Sequence, residues 1–297
     1  MTELPEASAV DIASLAAMRP KLHRYCARMV GSVIDGEDVL QDALIKAVEA
    51  HASAGEIGTA IENPEGWLFR IAHNTALDFL RKRQRQQALE GDAEVDMMPD
   101  QIDAVESRQI AGASLRTFMR LPVAQRSSVI LMDVLGCSLQ EICEVMECSL
   151  PAAKAALHRG RTQLRAFANE AEDMPQQRLS ELDRARLGAY VAYFNARDFD
   201  AIRAMIADDV RLDLVSKTRL NGKAEVSRYF GNYSSVSDWH LVPGLVEGHP
   251  AILVFDPDDR ASGPKYFVLL NWADGKVATI RDFRHAAYVI EGAEYHV

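Results

Sequence analysis

The hydrophobic period of this chain changes once, and that change limits the folds open to it. From about residue 10 to 172, apolar residues recur at helical spacing with few β-branched runs. From about residue 208 the segments "VRLDLVS", "WHLVPGLVEG", "PAILVFD", "KYFVLLNWA" and "KVATIRDFRHA" read as strands. A 3.6-residue period buries one stripe of a helix and a two-residue period one face of a sheet. The chain therefore needs an all-helical part and a separate α+β part. A helix over roughly 182–207 leads into the strands, and "ADGK" at 273–276, between two strand segments, predicts a hairpin. With 297 residues, 48% of them hydrophobic and 26% charged, there is material for two or three cores.

Composition divides the helical part further. "EGDAEVDMMPDQIDAVE", residues 90–106, carries seven acids, no base and a proline, which is the composition of a tether. A shorter linker lies around Met174–Arg178. The expected organisation is a helical unit at 10–88, an acidic linker at 89–107, a second helical unit at 108–172, a linker at 173–181 and an α+β unit at 182–297. Pro20, Gly31, Gly36 and the Ala52–Pro64 stretch read as punctuation in the first unit, Pro122 and Gly136 in the second. No apolar run approaches the ~20 residues of a membrane span. "MTELPEASAVDIASL" lacks the basic start and apolar core of a signal peptide, so the expectation is a cytoplasmic protein with no membrane partner. Cys26, Cys137, Cys143 and Cys148 match no common zinc or redox spacing. They read as plain thiols, with redox sensing as the alternative, and no metal or cofactor is expected.

The stretch "CSLPAAKAALHRGRTQLRAF", residues 148–167, holds four Lys/Arg, one His and no acid in a chain of net charge −10. Ser138 followed by Glu141 forms a capping box for a helix through about Glu147, and Ser149 with Pro151 starts another two residues later. Two helices across so tight a turn predict a helix-turn-helix. On the second, Ala153, Leu157, Gly160, Leu164 and Phe167 make the buried stripe. Lys154, His158, Arg161 and Arg165, with Arg159 beside them, make a cationic stripe about 100° round the axis. Such a helix suits a DNA major groove, where Lys and Arg neutralise phosphates and read guanine edges. A solvated helix face is the plain alternative. The acidic net charge is no obstacle, because binding follows the local field.

Two further helices carry signals. "NPEGWLFRIAHNTALDFLRKRQRQ", 63–86, places Trp67, Ile71, Asn74 and Asp78 on one face and Arg70 and Arg81 on another, and ends in Arg81, Lys82, Arg83 and Arg85. Aromatics and amides among cations suit an unstacked nucleic-acid strand. The alternatives are a core role for Trp67 and a favourable helix C-terminus for the basic cluster. "DGEDVLQDALIKAVEA", 35–50, is expected to bury Val39, Leu40, Ala43, Leu44, Ala47 and Val48. It would turn Glu37, Asp38, Gln41, Asp42 and Ile45 outward as an acidic docking face with one apolar residue.

In this order the segments resemble the extracytoplasmic-function sigma factors, over roughly residues 10–170. "DGEDVLQDALIKA" resembles the polymerase-binding segment and "NPEGWLFRIAHNTALDFLRKRQR" the promoter-melting and −10 helix of region 2. "LPVAQRSSVILMDVLGCSLQEICEVMECSLPAAKAALHRGRTQLR" resembles the −35-binding region 4. The resemblance implies core RNA polymerase, through its β′ clamp helices and β flap, and promoter DNA as partners. It implies that Asp38, Gln41, Asp42 and Ile45 face polymerase, and that Trp67, Arg70, Asn74, Asp78, Arg81 and Arg83 lie along the −10 strand. The loop between about His51 and Asn63 would hold a flipped base. Lys154, His158, Arg159, Arg161 and Arg165 would meet the −35 element, and the acidic linker would either thread the basic RNA path of polymerase or act as a solvated tether.

The third unit, from "LGAYVAYFNARDFDAIRAMIADDVRLDL" onward, resembles SnoaL-like domains, cone-shaped α+β folds with a curved antiparallel sheet. In sigma factors that carry one, the added domain modulates activity. Here that implies a domain that restrains or licenses polymerase binding, with autoinhibition as the favoured form and a small molecule or a protein as its candidate regulator. Asp213, Trp239, His240, Asn271, Arg281, Asp282 and His285 are candidates for the lining of a pocket. Strand alternation separates Asp282 from His285, so no acid–base pair stands out and no catalytic residue is assigned. A stand-alone helix-turn-helix regulator with a ligand-sensing domain is one rival reading, and an isomerase or hydrolase with a regulatory fusion is another.

Overall fold

A computed structural model describes residues 12–55, 63–87, 113–168, 178–231, 233 and 239–297. The chain forms two compact units, Met1–Glu172 and Asp173–Val297. The acidic linker at 89–107, the predicted flipped-base loop beyond residue 55 and most of the second linker lie outside the described residues.

The first unit is helical. Helices α1 (Ile12–Val30), α2 (Val33–Gly55) and α3 (Pro64–Gln87) come first. Helix α4 (Leu115–Met119) follows, then α5 (Val123–Val129), which runs into a π-turn over Ile130–Val134. Helices α6 (Leu139–Met146) and α7 (Leu150–Ala168) complete the unit. Two positions read as punctuation lie inside helices. Helix α1 runs through Pro20, and its Leu22, Tyr25, Cys26, Met29 and Val30 are all buried, so packing outweighs the backbone hydrogen bond that proline cannot make. Gly36 lies inside α2 because α1 passes against it. A Cβ there would stand 2.6 Å from the Ala27 Cα and 2.7 Å from its backbone nitrogen.

The two helical segments expected as separate modules share one core. Leu22, Phe69 and Ala72 belong to the same buried cluster as Phe118, Leu131, Ile142 and Leu157. Polar groups cross this core as well. Arg126 is buried, and its Nη1 donates to the Met29 carbonyl at 2.5 Å while Nη2 donates to the carbonyls of Met119 at 3.0 Å and Leu121 at 2.9 Å. The Tyr25 hydroxyl lies 2.7 Å from His73 Nδ1 and 2.8 Å from Ser127 Oγ. Tyr25 donating to a neutral imidazole, with Ser127 donating to Tyr25, satisfies all three groups. Burial lowers the His73 pKa to about 4. His23, beside the Val33 carbonyl at 2.9 Å, is lowered to about 4 for the same reason.

The second unit begins with α8 (Glu181–Asn195) and α9 (Phe199–Met205). The single helix predicted over 182–207 is thus broken, with Arg197 at φ 61° and Asp198 capping the next helix through the Ala201 amide at 2.9 Å. Seven strands follow: β1 (Ile206–Leu214), β2 (Thr218–Asn221), β3 (His240–Val246), β4 (His249–Phe255), β5 (Tyr266–Ala273), β6 (Lys276–Asp282) and β7 (Tyr295–His296). Helix α10 (Lys223–Gly231) lies between β2 and β3 in sequence. The strands form one sheet in the order β2-β1-β6-β5-β4-β3-β7, antiparallel at every pairing except β1 with β6, which is parallel. The predicted hairpin is present: Asp274 and Gly275, both at positive φ, join β5 to β6. This is the α+β architecture expected from the SnoaL-like resemblance. Among the described residues no helix is long and apolar enough to cross a membrane.

Two outcomes follow from the helical core. Gly36→Ala is expected to destabilise the helical unit in urea unfolding, because about 1–3 kcal/mol of overpacking against backbone exceeds the up to about 1 kcal/mol of helix propensity gained. Acidification should weaken the same unit. An unfolded histidine takes up its proton near pH 6.5 and these two only near pH 4, so stability is full above 6.5 and declines through that window, by up to about 3 kcal/mol for each group. His73→Gln is expected to reduce the slope of stability against pH between about 6.5 and 5.

Candidate nucleic-acid and polymerase interface

The helix-turn-helix is built as its caps require. Ser138 Oγ accepts from the Glu141 amide at 3.3 Å, and the Glu141 carboxylate accepts from the Ser138 amide at 2.6 Å. That second bond holds Glu141 below the usual carboxylate range. Helix α6 ends at Glu147 in the left-handed region (φ 50°, ψ 46°), and Ser149 Oγ accepts from the Ala152 amide at 3.4 Å as α7 begins. Ala153, Leu157 and Leu164 of α7 are buried. At Gly160 a Cβ would stand 2.7 Å from Val129 Cγ2 and 3.0 Å from the Gln125 carbonyl oxygen, so glycine lets α7 lie close on α5.

The cationic stripe of α7 is not uniform. Lys154 and Arg159 are exposed, whereas His158 and Arg165 are half-buried. Arg161 is bound within the chain: its Nε donates to Asp133 Oδ2 at 2.8 Å and its Nη2 to Oδ1. The Asp133 side chain is only 2% exposed and that of Arg161 25%, and the hydrogen bonds raise the Arg161 pKa. This fork–fork pair fastens α7 to the π-turn. Arg161 was expected to stand in the open stripe, but its partner is 28 residues back and no local spacing points to it.

Helix α3 presents a mixed surface. Asn74, Asp78, Arg81 and Arg83 are exposed, while Trp67 is half-buried and packs on the shared core. Asp78 is paired with Arg81 at 3.2 Å and with Lys46 at 3.7 Å. Arg83 pairs with Asp35 at 3.7 Å, and Arg70 with Glu147, at the end of α6, at 3.6 Å. Exposed pairs of this kind are worth little in water and can exchange for phosphate.

Helix α2 carries the acidic face, with two corrections. Asp38 and Asp42 are exposed and Gln41 half-buried, as expected. Glu37, expected outward, is fully buried and bonded to Arg19 Nη2 at 2.7 Å. Val48, expected inward, is 57% exposed and joins Ile45, 49% exposed, so the face holds two apolar residues instead of one. The helical period places residue 48 near the edge of the buried stripe, where only the neighbouring helices decide its side.

In the second unit, a cavity on one face of the sheet is lined by Asp282 together with Tyr190, Tyr229, Tyr233, Tyr266 and apolar side chains. Of the seven lining candidates only Asp282 is among these residues; Asp213, Trp239, His240, Asn271, Arg281 and His285 are not. Asp213 is paired with Arg219 at 3.4 Å and Arg281 at 3.8 Å. Trp239 is buried against Phe194, with ring centroids 4.9 Å apart. Tyr229 of α10 and Tyr233 beyond its end were missed. Their spacing of four residues, Tyr229 and Tyr233, is the signal that could have found them. Among the described residues no cluster of His, Cys, Asp or Glu is arranged to hold a metal, and the four cysteines are free thiols.

Arg161→Ala is expected to cost about 2–4 kcal/mol in the helical unit, because it strands a buried carboxylate. The double variant Arg161→Ala/Asp133→Ala should recover part of that loss. Lys154→Ala should leave stability within about 0.5 kcal/mol while weakening duplex binding and reducing its salt dependence. Urea unfolding and binding titrations at two salt concentrations check both.

Comparison with known proteins places this geometry. The Sigma-70 region 2 family matches residues 15–86, and the Sigma-70, region 4 family matches residues 115–164. The chain is 30% identical over 162 residues to the ECF RNA polymerase sigma factor SigW of Bacillus subtilis, covering 50% of this chain and 82% of that one. It is 28% identical over 298 residues to SigG of Mycobacterium tuberculosis, covering 89% of this chain and 78% of the other. The crystal structure of the M. tuberculosis extracytoplasmic function sigma factor SigJ matches 95% of this chain and 99% of its own at 18% identity and a TM-score of 0.36. With regions 2 and 4 in order on α1–α3 and α4–α7, the chain belongs to the ECF RNA polymerase sigma factors.

Proposed function

We propose that this sigma factor docks on core RNA polymerase through α2, holds the −10 strand along α3 and reads the −35 duplex with α7, and that its second unit governs when it does so. The carrying observation is the pairing of two exposed surfaces on one helical unit. One is an acidic face on α2 bearing Ile45 and Val48, and the other is Lys154 and Arg159 on a capped recognition helix. An acidic face with exposed apolar residues suits a protein partner, and the cations suit phosphate. In this reading α2 meets the β′ clamp helices and the region 4 helices meet the β flap. Trp67, Arg70, Asn74, Asp78, Arg81 and Arg83 follow the −10 strand. Lys154, Arg159, His158 and Arg165 approach the −35 element, and Arg161 supports α7 from behind. The protein works in the compartment that holds polymerase and promoter, and no chemical step is assigned to it.

The shared core adds a constraint. By their names the −35 and −10 elements lie about 25 base pairs apart, about 85 Å along a duplex. Helices α3 and α7 cannot reach both while Arg126 and Tyr25 join their segments, so binding requires that core to open. The chain from Gln87 to Ala113 can extend at most about 90 Å, which is enough to remain connected across that distance. The packed state is therefore a resting form, and the second unit sets how readily it gives way.

Run-off transcription with purified core polymerase on a promoter library, comparing the full chain with residues 1–174, tests this. Transcripts from either protein are the expected result, with more from the truncated chain if the second unit restrains the first. Duplex binding without RNA synthesis from either would favour the stand-alone regulator.

A further inference from the structure

Three of the chain's four cysteines fall within residues 137–148, and two of them meet across the turn of the helix-turn-helix. Helix α6 closes on Glu147 in the left-handed region, and the Cys148 amide then donates to the Cys143 carbonyl at 3.1 Å. Such a bond, from the second residue past a helix end back to the last turn, sets the side chains of its two residues against each other. Apolar residues commonly fill both places, whereas this turn has a thiol at each. The Cys148 thiol is hydrogen-bonded to that of Cys143. The 3.1 Å backbone bond keeps their Cα atoms within about 7 Å, the most that a disulfide spans.

The other two cysteines are placed differently. Cys26 is fully buried in the helical core. Cys137 precedes the Ser138 cap, so the length of α6, about 12 Å, separates it from Cys148, and its charged neighbours are Lys21, Glu141 and Glu65. Cys143 and Cys148 are half-buried, within reach of an oxidant the size of hydrogen peroxide. Burial and the neighbouring thiol raise the Cys148 pKa. The thiolate that attacks peroxide is therefore scarce at neutral pH, and the pair answers sustained oxidant only.

We infer that Cys143 and Cys148 are an oxidation site, converted by hydrogen peroxide into a disulfide that pins the turn of the helix-turn-helix and weakens duplex binding. One sulfur attacks the O–O bond of the peroxide, gaining an S–O bond as water leaves, and becomes a sulfenic acid. The other attacks that sulfenic sulfur, which closes the S–S bond and releases a second water. Each cysteine gives up one hydrogen, and the two electrons lost by the pair reduce the peroxide. A dithiol reductant reverses the step.

The effect on DNA follows from position. Sulfurs in a disulfide stand about 2 Å apart, closer than hydrogen-bonded thiols, so the turn must shift. The shift falls on Glu147–Ser149, and Ser149 caps α7 through a bond to the Ala152 amide that is already 3.4 Å long. Lys154, in the second turn of α7, and Arg159 beyond it move with the start of the helix. This effect rests on the reading of α7 as a DNA-binding helix, whereas the crosslink does not.

Treating the full chain with excess hydrogen peroxide tests both parts. Free thiols, counted after unfolding in urea, should fall from four to two, and dithiothreitol should restore them. Peptide mapping should find Cys143 joined to Cys148 within one chain. Cys143→Ser and Cys148→Ser should each abolish that crosslink, while Cys137→Ser should leave it. Binding to a duplex selected from the promoter library with the reduced chain should weaken severalfold on oxidation, and in neither of the first two variants. Either of these decides alone should the other fail to fold. A crosslink to Cys137, a disulfide between two chains, four thiols surviving the peroxide, or duplex binding unchanged by the crosslink would each overturn the proposal. A reduced chain that binds no duplex would refute the DNA reading of α7 and with it the effect on binding, while the thiol count would still decide the crosslink.

Discussion

The helical unit depends on one buried cation. The guanidinium of Arg126 stands where α1 and α4 end and donates to the Met29, Met119 and Leu121 carbonyls. A helix leaves its last carbonyls without partners and concentrates partial negative charge there, so a cation at two such ends satisfies both. The cost of burying the charge is visible in the Arg126 pKa, lowered to about 10 and still well above neutrality. Because α5 carries Arg126 and α1 supplies Met29, this bond joins region 4 to region 2. The Tyr25, His73 and Ser127 network completes the joint beside it.

A joint of this chemistry holds one arrangement and can still part, as the proposed function requires. Apolar surfaces alone would attract each other at many registers, whereas a guanidinium meeting fixed carbonyls accepts one. Each polar group at this joint can exchange its partner for water once the segments part, so opening strands no charge in an apolar core. The exposed faces are built differently. The ion pairs of α3, such as Arg81 with Asp78 and Arg83 with Asp35, lie at the surface, where an incoming phosphate competes on nearly equal terms.

The second unit shows how a pocket escapes a reading by residue type. Asn271 of β5 and His285 of the turn after β6 look like pocket candidates, yet neither lines the cavity. Asp282, the one that does line the cavity, finds its partners in Tyr229 and Tyr233, about fifty residues back. The residues that make the carboxylate chemically notable are ordinary tyrosines by sequence. They become a cluster because the fold sets the Tyr229 and Tyr233 hydroxyls 2.8 Å apart beside Asp282.

What the sequence determined by itself is what depends on local spacing. The change of hydrophobic period fixed the helical and α+β parts, Ser138 and Glu141 fixed the start of α6, Asp274 and Gly275 the hairpin, and the order of three segments the family. Tertiary structure decided what rests on partners far along the chain. Only packing shows that α1 runs through Pro20, that Gly36 serves the contact with α1, that Glu37 is buried and Val48 exposed, and that Arg161 belongs to Asp133. Only the fold joins the two helical segments through Arg126. Local spacing acts over a turn or two of helix, whereas a buried charge or a cavity is made by whichever segments the core brings together.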